Sequence, residues 1–481
     1  MIWRTKVPCA QLLAVCLGLC LPLSTGCSVE VPVLLPPPFG PGKPPDAPRL
    51  FFPTGMAVAR TGHLLIANGN FDHAFDSGTL VSMDPAWLAS VFSDPNPLVR
   101  DEQIPSAAFT SAVLIGGYSG PIALDDDAFG GQNPVTTVYT ASRDTNTLDA
   151  VQVDAAGLLS CKTLGGTDCR KGVIDLAAVD NLEAPFGIAA GFSRPPGAAA
   201  DLPTIFVSAL SPHIDEVVNG TAYTSAPVAA MDATDPTHIL YSMLSSSSLL
   251  SVANGIGAGP MLFDRGRRTL ILGGCYQRFP NSTQGTPSTG KCLIGAQPNY
   301  LRFMSVDSGA DTTVHLIDIS SQTRGNDVTG MVLGPEDASG RAHKLYVSVR
   351  SPDLLLEVTL TDEPGVVPFV SRATSLPISP AGIVRIALPP GVTEQGDLLA
   401  IAAAGNSAVD IFDGASGLIV SQIERLGTTP FSIVQLPPAA GDLNAHLIAS
   451  VFADCRLAFI EMSYAQPWKT RLRGRLGSCP P

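Results

Sequence analysis

The chain has 481 residues, with 46 Gly, 42 Pro and 15% charged residues, a composition that favours many turns and short strands over long helices. Its formal charge of −13, from 42 acids against 29 Lys and Arg, argues against nucleic acid as a partner, because that role needs a clustered basic surface. Length alone leaves room for two or three domains, and burying a core is no obstacle at this size.

From the N-terminus, Arg4 and Lys6 precede a 14-residue apolar run, AQLLAVCLGLCLPL. That run is short for a bilayer span and no stop-transfer pattern follows it, so residues 1–26 read as a processing segment. The stretch LSTGC, ending at Cys27, resembles the lipobox of bacterial lipoproteins, although Ser24 replaces the usual branched residue. The resemblance implies cleavage before Cys27, lipidation of Cys27, and, with Ser28 next, the outer membrane. An ordinary secretory signal cut nearby is the alternative. Loss of residues 1–26, which carry Arg4 and Lys6 but no acid, lowers the net charge from −13 to −15. Residues 27–49 contain PVLLPPPFGPGKPPDAP, whose eight prolines and two glycines predict an extended, solvated tether.

Residues 50–481 repeat one unit seven times. Each unit opens on a short apolar run: TGMAVA, GPIALD, PFGIAA, GPMLFD, TGMVLG, AGIVRIAL and PFSIVQL. A second run ends in small residues: LLIAN, VYTAS, IFVSA, LILGG, LYVSV, LLAIAAA and LIASVFA. After a polar loop comes a third: TLVSMD, LDAVQVD, APVAAMD, VHLIDIS, LLLEVTL, AVDIFD and RLAFIEM. Such runs, rich in Val, Ile and Leu and bounded by Gly, Pro, Asn and Asp, read as buried strands.

The pattern resembles the surface-layer, or YVTN-type, propeller repeat. It implies an all-β fold, a single seven-bladed β-propeller of four-stranded antiparallel blades. A pair of β-sandwiches would also use evenly spaced short strands, but would leave the fixed order of runs to accident. The ring could close with WKTRLRGRLG as the last blade's own fourth strand, or with APRLFF completing that blade.

Six cysteines beyond Cys27 form three sequence-local couples, Cys161 with Cys169, Cys275 with Cys292 and Cys455 with Cys479. They suit disulfides in an oxidising compartment, local pairing being the preferred one of 15 connectivities. Zinc would require CxxC-like spacing, which is absent.

The loops between second and third strands should share one face of the ring. Their polar residues are the ligand-face candidates: Asp72, His73, Arg143, Asp144, His213, Asp215, Arg350 and Asp353. In the first loop, Asn68, Asn70, Asp72 and Asp76 have oxygen-ligand character, and calcium is the one cofactor considered there. The EF-hand pattern fails, since its sixth and twelfth positions are His73 and Thr79. A hydrogen-bonded turn is the competing reading. No HExxH or GxSxG occurs, so no catalytic residue is assigned. The functional expectation is a monomeric, lipid-anchored binding or scaffold module at a cell envelope, serving a protein, a glycan or a small ligand. The rival is a metal-dependent propeller hydrolase, lactonase or lyase.

Overall fold

The computed structural model describes residues 34–39, 49–94, 98–125, 135–172, 174–178, 182, 184–195, 197–209, 213–218, 221–225, 228–243, 256–276, 299–306, 313–319, 327–350, 352–363, 366–389 and 396–479. Cys27, Cys292 and the long insertion after Cys275 lie outside these, as does any Cys275–Cys292 pairing.

Seven antiparallel sheets follow one another along the chain and form a seven-bladed β-propeller. The inner strands are Pro53–Val58, Ser119–Leu124, Pro185–Ser193, Ile256–Asp264, Asp327–Leu333, Pro380–Arg385 and Pro430–Gln435. Each packs beside the next, and the first meets the last, so the ring is closed. Second and third strands such as Leu64–Asn68, Gly78–Met83, Thr136–Ser142 and Arg456–Ser463 are buried on both faces, which is why they read as continuous apolar runs. In Leu64–Asn68, Leu64 and Ile66 pack toward blade seven with Ile448 and Phe459, while Leu65 and Ala67 pack toward blade two with Val138 and Val151.

The Gly of the inner-strand pattern has a physical cause. A Cβ at Gly187 would collide with the carbonyl oxygen of Gly259 and the hydroxyl of Ser208, and one at Gly55 with the carbonyl of Gly120. A Cβ at Gly382 would lie 2.7 Å from Phe431 O, and one at Gly330 2.7 Å from Ile383 Cγ2 and 3.1 Å from Ala381 O. Each of these inner strands therefore lies against the next blade's backbone with no room for a side chain.

One strand assignment is corrected. In blade four VHLIDIS supplies the outer strand, Thr313–Asp318, and the third strand is Asn299–Ser305. That third strand buries Arg302 between Leu301 and Phe303, which breaks the apolar run that marks third strands elsewhere.

Closure uses the last blade's own fourth strand, Thr470–Leu476, rather than APRLFF. Leu50 and Phe51 instead fill the core between blades one and seven. A latch reinforces the seam. Blade one's third and fourth strands are separated by helix Pro85–Ser93 and strand Leu98–Glu102, and the latter pairs in parallel with Thr470–Leu476. The helix starts cleanly, with Asp84 accepting from Ala86 N at 2.8 Å and Pro85 in its first turn. It packs Trp87 and Phe92 against Phe459, and Arg473 donates to Phe92 O at 3.0 Å. The Cys455–Cys479 disulfide fastens the chain's end to blade seven, and Cys161–Cys169 clips the split outer edge of blade two.

The tether departs from expectation over Leu34–Phe39. Pro36 and Pro37 are buried, Phe39 packs on the blade-one core, and Leu34 donates its N–H to the Asp76 carboxylate while its carbonyl accepts from Asp76 N at 2.9 Å.

Two substitutions test this frame by chemical denaturation. Gly187→Ala should cost about 2–3 kcal/mol, since backbone is what the new methyl meets; an unchanged midpoint would contradict the close packing. Ala184 holds φ 50° immediately before an inner strand, so Ala184→Gly should stabilise by about 1 kcal/mol.

Candidate functional site

Antiparallel alternation puts the loops between second and third strands on the same face as the blade-to-blade connections, and hydrogen bonds join the two sets. Asn146 Oδ1 accepts from Ala184 N at 2.8 Å, Asp353 Oδ1 from Ser379 N at 3.0 Å and Asp454 Oδ2 from Thr428 N at 2.9 Å. The residue before the inner strand is left-handed at Phe52, Tyr118, Ala184, Ser379 and Thr429, with φ of 49 to 62°. This shared turn aims each connection back across the face.

The candidates separate accordingly. Asp353 is committed to Ser379, and Arg350 Nε donates to Pro380 O at 3.2 Å, so both fasten the seam between blades five and six. His213 and Asp215 fall in a hairpin, His213–Val218 with Thr221–Ser225, that rises from blade three in place of the expected loop. In blade one, Asn68 Oδ1 accepts from Phe51 N at 3.2 Å while its amide donates to Arg49 O and Thr79 Oγ1. Asn70 brackets Phe75, accepting from its N–H at 3.1 Å and donating to its carbonyl at 2.6 Å. Asp72 closes a turn by accepting from Ala74 N at 3.0 Å, and Asp76 holds the tether. The four residues weighed for calcium thus spend side-chain oxygens on backbone N–H groups. Among the described residues no three His, Cys, Asp or Glu side chains group as metal ligands do.

What the face does bring together is His73, Arg143 and Asp144, over the seam of blades one and two, with a set of rings that sequence inspection passed over. Phe71 is the hub: its centroid lies 4.4 Å from Tyr118 and 5.0 Å from Phe452. Phe452 in turn meets Phe52 at 5.1 Å and Phe431 at 5.8 Å, and Tyr118 meets His73 at 4.9 Å. These rings come from blades seven, one and two, and all but the exposed His73 are half-buried. The signal that could have found them is an aromatic within four residues of a small-ended second strand (Phe71, Phe452) or beside the first residue of an inner strand (Phe52, Tyr118, Phe186, Phe431).

Arg143 reaches across this set, its guanidinium 5.6 Å from the Phe71 centroid and 5.3 Å from that of Phe186. Burial lowers its pKa, with the Tyr118 phenol acting in the opposite sense. Asp144 rests its carboxylate on Gly117 rather than on Arg143; partial burial raises its pKa, and His73 opposes that rise. The opposite face offers a contrast. A cavity of about 220 Å³ between blades four and five is lined by Arg267, Phe303, His315 and Asp362, and there Arg267 is neutralised by Asp264 and Asp362 at 3.0 and 2.9 Å.

Beneath the connection to Tyr118 lies a fully buried acid, Asp149. Its Oδ2 accepts from Gly116 N at 3.1 Å and Ser142 Oγ at 3.0 Å, while Oδ1 has no partner among the described residues. Burial pushes its pKa up to about 6, against the pull of those two bonds. Asp410 in blade six shows the same lift, to about 6, and for the same reason.

No described protein family matches the sequence, and no curated relative does. Among solved structures, the chain is similar to the hydrazine synthase of Kuenenia stuttgartiensis, at 12% identity and a TM-score of 0.49, over 87% of this chain and 97% of that one. It is also similar to the periplasmic gluconolactonase PpgL of Pseudomonas aeruginosa, at 10% identity and a TM-score of 0.47, over 87% and 97%.

Asp149 gives a pH test. Its carboxyl ionises near 4 in an unfolded chain and at about 6 here, so its favourable contribution is complete below about pH 4 and lost as pH rises through 6. Asp149→Asn keeps an oxygen for Gly116 and Ser142. It should reduce the loss of unfolding free energy between pH 4.5 and 7.5 by roughly 2 kcal/mol; identical pH profiles would contradict the buried charge.

Proposed function

We propose that this chain is an exported, lipid-anchored propeller that binds a ligand on the ring-bearing face and performs no catalysis of its own. The observation that carries this reading is the run of half-buried rings, Phe52, Phe71, Tyr118, Phe431 and Phe452, gathered from three consecutive blades. Aromatic bodies left partly in water on a rigid frame are what small-molecule and glycan sites use. The acids near them are tied to backbone or rest on it, as Asp72, Asp76 and Asp144 do, instead of converging in pairs for acid–base work.

The anchor is the second part of the proposal and rests on the lipobox resemblance at Cys27. Acylation there would leave seven peptide steps to Leu34, roughly 25 Å when fully extended. Because Leu34 is fastened at Asp76, the ring-bearing face would then work close to the membrane surface.

Two measurements test the proposal. A clickable palmitate analogue should label the wild type and not Cys27→Ala; an unlabelled wild type would remove the anchor. A thermal-shift screen of sugars and organic acids should yield at least one ligand whose stabilisation is lost in Tyr118→Ala. Hits indifferent to Tyr118 and to Phe452→Ala would remove the face from the account.

A further inference from the structure

Arg143 differs from several half-buried arginines that have carboxylate partners. Arg267 pairs with Asp264 and Asp362, Arg372 with Glu357, and Arg170 with Asp168. Among the described residues Arg143 meets only rings: its side chain makes no ion pair, donates no hydrogen bond, and its Nε is buried without a partner. A guanidinium withdrawn from water keeps its charge and wants an anion; ring faces recover only part of what hydration supplied. Its guanidinium bridges the blade-one loop that carries Phe71 and the start of blade three at Phe186.

We infer that Arg143 is the anion subsite of this face and takes the carboxylate of a small organic acid whose body rests against the rings of Tyr118 and Phe186. A carboxylate matches the planar fork of the guanidinium with two parallel N–H···O bonds, and its body would extend over surface that is already half apolar. Asp144, turned onto Gly117, leaves the fork unopposed. The carboxylate could belong to a free acid or to an acidic sugar; the chemistry at Arg143 is the same.

The inference rests on this face being the ligand face, and the experiment separates the two. Full-length chain in detergent is titrated calorimetrically at low salt with benzoate and with galacturonate, and with their neutral counterparts benzamide and methyl galactoside. At least one acid should bind, its neutral counterpart should not, and Arg143→Gln should weaken binding roughly 10- to 100-fold, the loss of charge-assisted bonds. Arg143→Lys should recover only part of the affinity, because an ammonium lacks the fork. Which acid binds distinguishes the two bodies. Should Arg143→Gln fail to fold, the wild-type Nε–Hε resonance of Arg143 decides: a shift on adding the winning acid supports the subsite, and a static resonance overturns it. Equal binding of acid and neutral compound, lost in Tyr118→Ala, would overturn the subsite and keep the face. Absence of any binding by either acid would overturn the subsite, leaving the face to the wider screen.

Discussion

The structure depends on the contact between one inner strand and the backbone of the next. At Gly55, Gly187 and Gly382 the neighbouring carbonyl occupies the space a Cβ would need. That contact sets how near the axis each sheet begins, and the second and third strands fan outward from it. Everything on the loop face inherits its position from this ring of backbone contacts. Loops anchored so can carry unfavourable conformations, such as the left-handed Tyr118, without losing their place.

A ring also has to be kept shut, and the chain does this without borrowing a strand to complete a blade. Blade seven is whole by itself; blade one then throws a helix and a strand across its outer edge. Phe92, stacked on His446 at 4.3 Å and edge-on to Phe459, secures that crossing. The seam it guards is the one over which Phe52, Phe71 and Phe452 assemble, so closure and the candidate site share their foundations. The buried Asp149 and Asp410 work against stability at neutral pH, and each sits in a blade that the apolar layers hold together regardless.

Much of the fold was legible because its rules are local. Inner strands carry Gly or Pro where backbones meet, and second strands end small where blades converge; Ser208, at such an end, leaves room for Gly187. Blade four escaped this reading because Arg302 sits buried inside its third strand, whereas VHLIDIS looks more apolar than an outer strand requires. The site was far less legible. Acids and His in loops drew the eye by residue type, yet Asp353, Asp76 and Asn70 act on backbone N–H groups. Phe71, Tyr118 and Phe452 are separated by up to several hundred residues and become neighbours only when the ring closes. No periodicity records such a meeting.

The most direct test of the shared-frame claim is native-state hydrogen exchange along the seven inner strands under increasing denaturant. If adjoining blades truly lock through their backbones, the protected amides of Met56, Ile188, Met331 and Ile383 should converge on one opening free energy, that of global unfolding. Separate plateaus, with individual blades opening well below the global value, would show that the blades stand independently and that the ring contact does not govern the structure.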